Sequence, residues 1–269
     1  MRITFWATVL VCTLVFACSA TCRNRGAGGA DGGGVPVSTS GGSSGLAWRR
    51  AGSAEMEEGL EGPSLVFIHH SCGSGFLREG GLWRLLEELG LAVYEITYGD
   101  GWIGDHTDPR DFPTTFSEHL DEVLKWDLAG ADRHDLVAFK SCFPACNVTS
   151  EAMLKQYRGY YDMLKPHFAG QPQTFFIAWT APPLVPAATT PENAARYRKF
   201  CEWLVREWAK GQENVAVFDC NAVLVDGRGM LKAEYRRGES DSHPNAAGNQ
   251  AVAAAFAAWL PDAVSRWRW

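Results

Sequence analysis

Leu65–Phe76 reads LVFIHHSCGSGF, an apolar run that stops at two histidines and a serine and then turns through small residues. A short apolar run bounded by turn residues reads as a buried strand, Ser64 to His70. Successive side chains on a strand point to opposite faces, so His70 is badly placed to take a proton from Ser71. If Ser71 is a nucleophile, its base comes from elsewhere in the chain.

Downstream, strand-like and helix-like segments alternate. Leu82–Leu89 (LWRLLEEL), Thr115–Trp126, Ser150–His167, Pro191–Lys210 and Asn245–Leu260 read as helices. Ala92–Tyr98 (AVYEITY), Asp135–Lys140 (DLVAFK), Thr174–Trp179 (TFFIAW) and Val215–Phe218 read as strands. Five strands alternating with helices predict an α/β fold, a three-layer α/β/α sandwich around a parallel sheet. Right-handed crossovers favour the flavodoxin-like strand order 2-1-3-4-5. Ligands in such sheets bind beyond the carboxyl ends of the strands, where the chain supplies HHSCGSG, GDGWIGDHTDPRDFP, SCFPACN, TAPPLVP and DCNAVLVDGRG.

The base for Ser71 is found late in the chain. SDSHPNAAGNQAVAAAFAAWL sets Asp241 and His243 just before a small-residue helix that Pro244 and Asn245 start. An aspartate that orients an imidazole, with a serine from another loop, is the orienter, base and nucleophile set of acyl transfer.

Together these two blocks resemble the SGNH (GDSL-like) hydrolase superfamily over Ser64–Leu260. His69-His70-Ser71 stands where many members read Gly-Asp-Ser, and FIHHS, FKSCFP and TAPPL are similar to a bacterial branch of exported or uncharacterised members. The resemblance implies Ser71 as nucleophile, His243 as base and Asp241 as orienter. Asp241 lies two residues before the histidine where the family has three, and Ser240 fills the usual place. The family also implies oxyanion donors: the Ser71 amide, a glycine among Gly99, Gly101 and Gly104, and an asparagine after strand three, for which Asn147 is the nearest.

Met1-Arg2 followed by an apolar run to Ala17 has the length and charge of an export signal. Val15-Phe16-Ala17-Cys18 resembles a lipobox, so residues 1–18 are expected to be a signal with lipidation at Cys18; ordinary cleavage after Ala17 or Ala20 is the alternative. Residues 19–62, rich in Gly, Ser and Ala, read as a flexible tether, and residues 63–269 as one domain. The expected location is outside the cytoplasm, membrane-associated through the lipid. Of eight cysteines, five fall in that domain; Cys142 with Cys146, or Cys201 with Cys220, could pair, or all could be buried thiols.

The 269 residues carry a net charge of -6, and no Lys/Arg cluster interleaved with aromatics appears, which argues against nucleic acid as a partner. Gly104–Asp108 (GDHTD) has the oxygen content of a metal loop but reads as a turn; no metal and no cofactor is expected. The leading function is a serine esterase removing acyl or acetyl groups from a small-molecule or glycan ester. The alternatives are an O-acyltransferase with the same triad and a non-catalytic binding domain on the same fold.

Overall fold

The computed structural model describes residues 62–130 and 132–267. The expected export signal, Cys18 and the tether up to residue 61 lie outside the described residues.

Five parallel strands, β1 (Ser64–Ile68), β2 (Ala92–Ile96), β3 (Leu136–Lys140), β4 (Phe175–Trp179) and β5 (Val215–Phe218), form one sheet in the order β2-β1-β3-β4-β5. This is the expected 2-1-3-4-5 order. Every residue of β1, β3 and β4 is buried, as central strands covered on both faces require, whereas the edge strand β2 is only half-buried.

The period of two divides the apolar residues between two cores. Val66, Ile68, Val137, Phe139, Phe176 and Ala178 face one layer, which contains α4 (Phe112–Glu118), α6 (Glu151–Asp162) and α8 (Pro191–Trp203). Leu65, Phe67, Leu136, Ala138, Phe175, Ile177 and Trp179 face the other, which contains α1 (Ser71–Leu77), α2 (Leu82–Glu88), α9 (Cys220–Leu224) and α10 (Ala246–Ser265). Lys140 continues the Leu136, Ala138 series, so it belongs to the α1 and α10 face, and it is fully buried there.

Several expected helices are broken, each for a local reason. The small-residue turn after Ser71 is instead the helix α1, which lies so close to β1 that a Cβ on Gly73 would fall 2.3 Å from the His69 ring. Thr115–Trp126 is split into α4 and α5 (Leu120–Lys125) at His119, which leaves helical geometry and stacks on Trp102 with ring centroids 4.7 Å apart. Ser150–His167 is split into α6 and α7 (Lys165–Ala169), since Pro166 is tolerated in a first turn but not in a helix interior. The long helix from Pro191 turns into π-helical geometry at Leu204–Trp208. The side chains of Ser150, Thr190 and Asn245 cap α6, α8 and α10 by accepting from backbone N–H groups three residues on.

Candidate active site

Ser71 opens α1 directly beyond the carboxyl end of β1, and His243 sits in the loop leading into α10. The structure brings them together: Ser71 Oγ donates to His243 Nε2 at 3.0 Å. His243 Nδ1–H donates to Asp241 Oδ1 at 2.6 Å, and the same oxygen accepts the His243 backbone N–H at 2.9 Å. The backbone N–H first, and then the ring, hold the Asp241 carboxyl below its usual pKa range. The imidazole is thereby fixed with its proton on Nδ1 and its lone pair toward the serine, the tautomer a general base needs.

The loop carrying Asp241 and His243 is tied down on several sides. Ser242, buried between the two, accepts from the Val185 N–H in the loop after β4 at 3.1 Å. Arg237 donates to Pro244 O, and also to Glu79 at 2.6 Å. Glu79, two residues beyond α1, accepts from Asn249 of α10 as well, at 2.5 Å, so one carboxylate joins the segment after the serine's helix to the helix that follows His243. Phe143 meets the His243 ring edge-on, with centroids 4.9 Å apart.

His70 points away from this set, as the strand alternation requires. Its Nε2–H donates to Gly104 O at 2.6 Å, and its ring stacks on the exposed Tyr98 at 3.7 Å. His69 is buried against Glu95, whose carboxyl its ring hydrogen bond helps hold at a pKa of about 2.

The expected oxyanion donors fall into different situations. Gly104 packs tightly beneath the end of β2, where a Cβ would meet Thr97 O at 2.0 Å. Gly101 opens α3 (Gly101–Asp105) with φ +67, and the Gly99 amide is committed to Asp105 Oδ1. The Asn147 side-chain oxygen accepts from Thr189 at 3.1 Å and from Asn193 at 2.9 Å, which anchors it to the start of α8. The residue of the loop after β3 that reaches the serine is Cys142, whose Sγ lies 3.3 Å from Ser71 Oγ. From the sequence, Cys142 could be a disulfide partner or a buried thiol, and nothing there placed it against the serine.

Neither candidate disulfide forms, and all five described cysteines are free and buried. Cys142 turns toward Ser71, whereas Cys146 donates to Pro182 O at 2.8 Å in the loop after β4. The GDHTD segment is held by its own turns, with His106 bonded to Trp102 O at 2.7 Å and stacked on the Trp102 ring. Among the described residues no group of three or more His, Cys, Asp or Glu is arranged to hold a metal ion.

Sheet order and topology define the class: the chain is a three-layer α/β/α fold around a parallel five-stranded sheet in the order 2-1-3-4-5. No protein-family model matches it, and no curated protein matches it in sequence. Among solved structures it is similar to a Streptococcus pneumonia protein provisionally described as a platelet activating factor, with TM-score 0.51 and 17% identity over 74% of this chain and 84% of that one. It is also similar to a gut microbial diltiazem-metabolizing enzyme, with TM-score 0.50 and 12% identity over 75% of this chain; there it spans 47% of the other chain, less than half its length. A GDSL-like lipase from Bacteroides thetaiotaomicron aligns with TM-score 0.47 and 12% identity over 74% of this chain and 88% of that one. At these identities the likeness to the first two establishes the fold alone, and the chemistry has to be argued from this chain's own residues.

Proposed function

We propose that the protein is a serine hydrolase that cleaves acyl or acetyl esters, with Ser71 as nucleophile, His243 as general base and Asp241 as the orienting carboxylate. The observation that carries this reading is the continuous hydrogen-bond line from Ser71 Oγ through His243 to Asp241, at 3.0 and 2.6 Å. Ser71 attacks the ester carbonyl while His243 Nε2 takes its proton, and the resulting imidazolium is stabilised by Asp241. His243 then returns the proton to the leaving alcohol, and water releases the acyl group from Ser71 by the same steps. Ser71 lies in the first turn of α1, where backbone N–H groups have no intrahelical acceptor, so its amide is available to a developing oxyanion.

Transfer to an acceptor hydroxyl uses the same acyl-enzyme, and the acceptor present decides between the two outcomes. The substrate class we propose is an acylated glycan or small ester outside the cytoplasm, in keeping with the signal-like residues 1–18, the Cys18 lipobox and the Gly/Ser-rich segment that follows. A fluorophosphonate probe should label Ser71 in the folded wild-type chain and leave Ser71→Ala unlabelled. A panel of p-nitrophenyl acyl esters and acetylated glycans should then give turnover. Folded protein that neither labels nor turns over any of them would favour a binding domain instead.

A further inference from the structure

Among the described residues three large apolar side chains are exposed, and one of them stands at the carboxyl edge of the sheet with the serine. Met163 closes α6 and Val205 lies in the π-helical turn after α8, in segments that carry the chain back to the amino ends of β4 and β5. Tyr98 lies instead in the loop beyond the carboxyl end of β2, the strand paired with the one that delivers Ser71, and it is 57% exposed. A lone exposed tyrosine needs no explanation, but this one is held in place. One face of its ring is covered by His70, the residue before Ser71, with centroids 3.7 Å apart and planes 21° from parallel. His70 is itself fixed by its 2.6 Å bond to Gly104 O. A ring backed on one face and still more than half exposed offers its other face to solvent.

We propose that Tyr98 is a stacking platform for a pyranose ring, and that the ester cleaved at Ser71 is carried by a neutral sugar whose hydroxyl is the leaving group. The reaction rests on the serine-hydrolase reading above; the binding of the sugar does not. A pyranose presents a face of C–H groups edged by hydroxyls, so it is recognised by an aromatic face with hydrogen-bond acceptors beside it. Both are present in this loop. Asp100 Oδ2 accepts the Thr97 N–H at 2.8 Å and Asp105 Oδ1 the Gly99 N–H at 3.0 Å, which brings the two carboxylates to the residues on either side of Tyr98. Among the described residues no hydrogen bond engages the second oxygen of either, and Asp105 is exposed. Carboxylates accept from sugar hydroxyls and repel carboxylated or sulfated sugars, which sets the preference for a neutral ring.

Partial burial pushes the Tyr98 phenol up to about 12, while a hydrogen bond with the Ser71 hydroxyl pulls the other way, so the ring beside the nucleophile is uncharged at neutral pH. A rigid, neutral aromatic face costs little ordering when a ligand settles on it. With the sugar so placed, Ser71 Oγ bonds the acyl carbon, the bond from that carbon to the sugar oxygen breaks, and His243 returns the proton to that oxygen. The sugar leaves the Tyr98 face with its hydroxyl restored, and the acyl group stays on Ser71 for water to release.

The test measures kcat/KM of the full-length chain on mono-O-acetylated methyl pyranosides of glucose, galactose, mannose and xylose, with ethyl acetate and phenyl acetate beside them. For the best sugar, the ratio of kcat/KM to that of ethyl acetate should fall about tenfold or more in Tyr98→Ala, chiefly through a raised KM. In Tyr98→Phe, which keeps the ring, it should stay within about threefold of wild type. The inference is overturned if the ratio survives in Tyr98→Ala, or if Tyr98→Phe loses as much as Tyr98→Ala, which would place the effect in the hydroxyl. It is overturned equally if the phenyl-to-ethyl ratio falls as far as the sugar ratio, or if the wild type cleaves ethyl acetate and none of the sugars. Should the wild type cleave no ester at all, the serine-hydrolase reading falls, and saturation-transfer NMR with the unacetylated methyl pyranosides decides on the platform. Transfer to the sugar ring protons in wild type that is lost in Tyr98→Ala supports it, and no transfer in wild type overturns it. Should Tyr98→Ala fail to fold, Tyr98→Leu, which covers His70 without a flat face, takes its place with the same expectations.

Discussion

Asp241 stands two residues from His243, and the loop accommodates this spacing by turning one carboxylate oxygen onto both the backbone and the ring of the same histidine. An orienter held this way is fixed by the residue it serves, and Ser242 between them is pinned to Val185. In well-studied triads, loss of the nucleophile or base removes about 10⁶-fold in turnover and loss of the orienter about 10⁴-fold. Ser71→Ala and His243→Ala are therefore expected to reduce ester hydrolysis to background, and Asp241→Asn to leave a small measurable rate. His70→Ala should retain activity, since His70 bonds Gly104 and not the serine. Wild-type turnover persisting in Ser71→Ala would end the argument. At this scale the serine, histidine and aspartate were legible because each stands in a loop that parallel topology sends to one edge. Cys142, Glu79 and Arg237 were not, because their roles arise only when loops distant in sequence meet.

At the scale of elements, the strands read easily because apolar runs of four or five residues between turn signals have one consistent interpretation. The helices read less well, since side chains at His119 and Pro166 interrupt periodic patterns that the sequence alone presents as continuous. The strands are also fastened at their amino ends, opposite the site. There His134 Nδ1 accepts from Ser64 Oγ at 3.1 Å, His134 Nε2–H donates to Trp126 O at 2.9 Å, and Asp135 accepts the Ser64 backbone N–H. Burial lowers the His134 pKa, and it lowers those of His69 and His70 as well. The sign follows: the folded chain binds these protons more weakly than the unfolded chain. Their contribution to stability is complete above the ordinary imidazole pKa of about 6.5 and is lost as pH falls below it. The urea midpoint should decline between pH 7.5 and 5.5, with a shallower decline in His134→Gln. Equal slopes in the two proteins would count against this account.

For the whole molecule, the core on the α1 and α10 face centres on Trp179, which packs against Phe67, Phe76, Phe218 and Phe256. Phe256 is 1% exposed, and Phe256→Ala is expected to destabilise by about 3 to 5 kcal/mol through lost apolar transfer and the cavity left behind. Denaturant titration measures it, and a change below about 1 kcal/mol would contradict the packing. Every hydrogen bond described around Ser71, His243 and Asp241 comes from residues after Gly62, so a chain beginning there should fold and label with fluorophosphonate as the full chain does. Loss of labelling in that shortened but folded chain would show that upstream residues contribute to the site.

Pro63 enters the sheet beside Ala92, at the amino end of β1, and α10 carries the chain back down to Trp267, which stacks on Phe175 at the amino end of β4. Both ends of the described chain thus leave from the side of the sheet opposite Ser71. A chain cut back to the described residues therefore carries both its ends away from Ser71, and a handle fused directly there leaves the serine open to approaching ester.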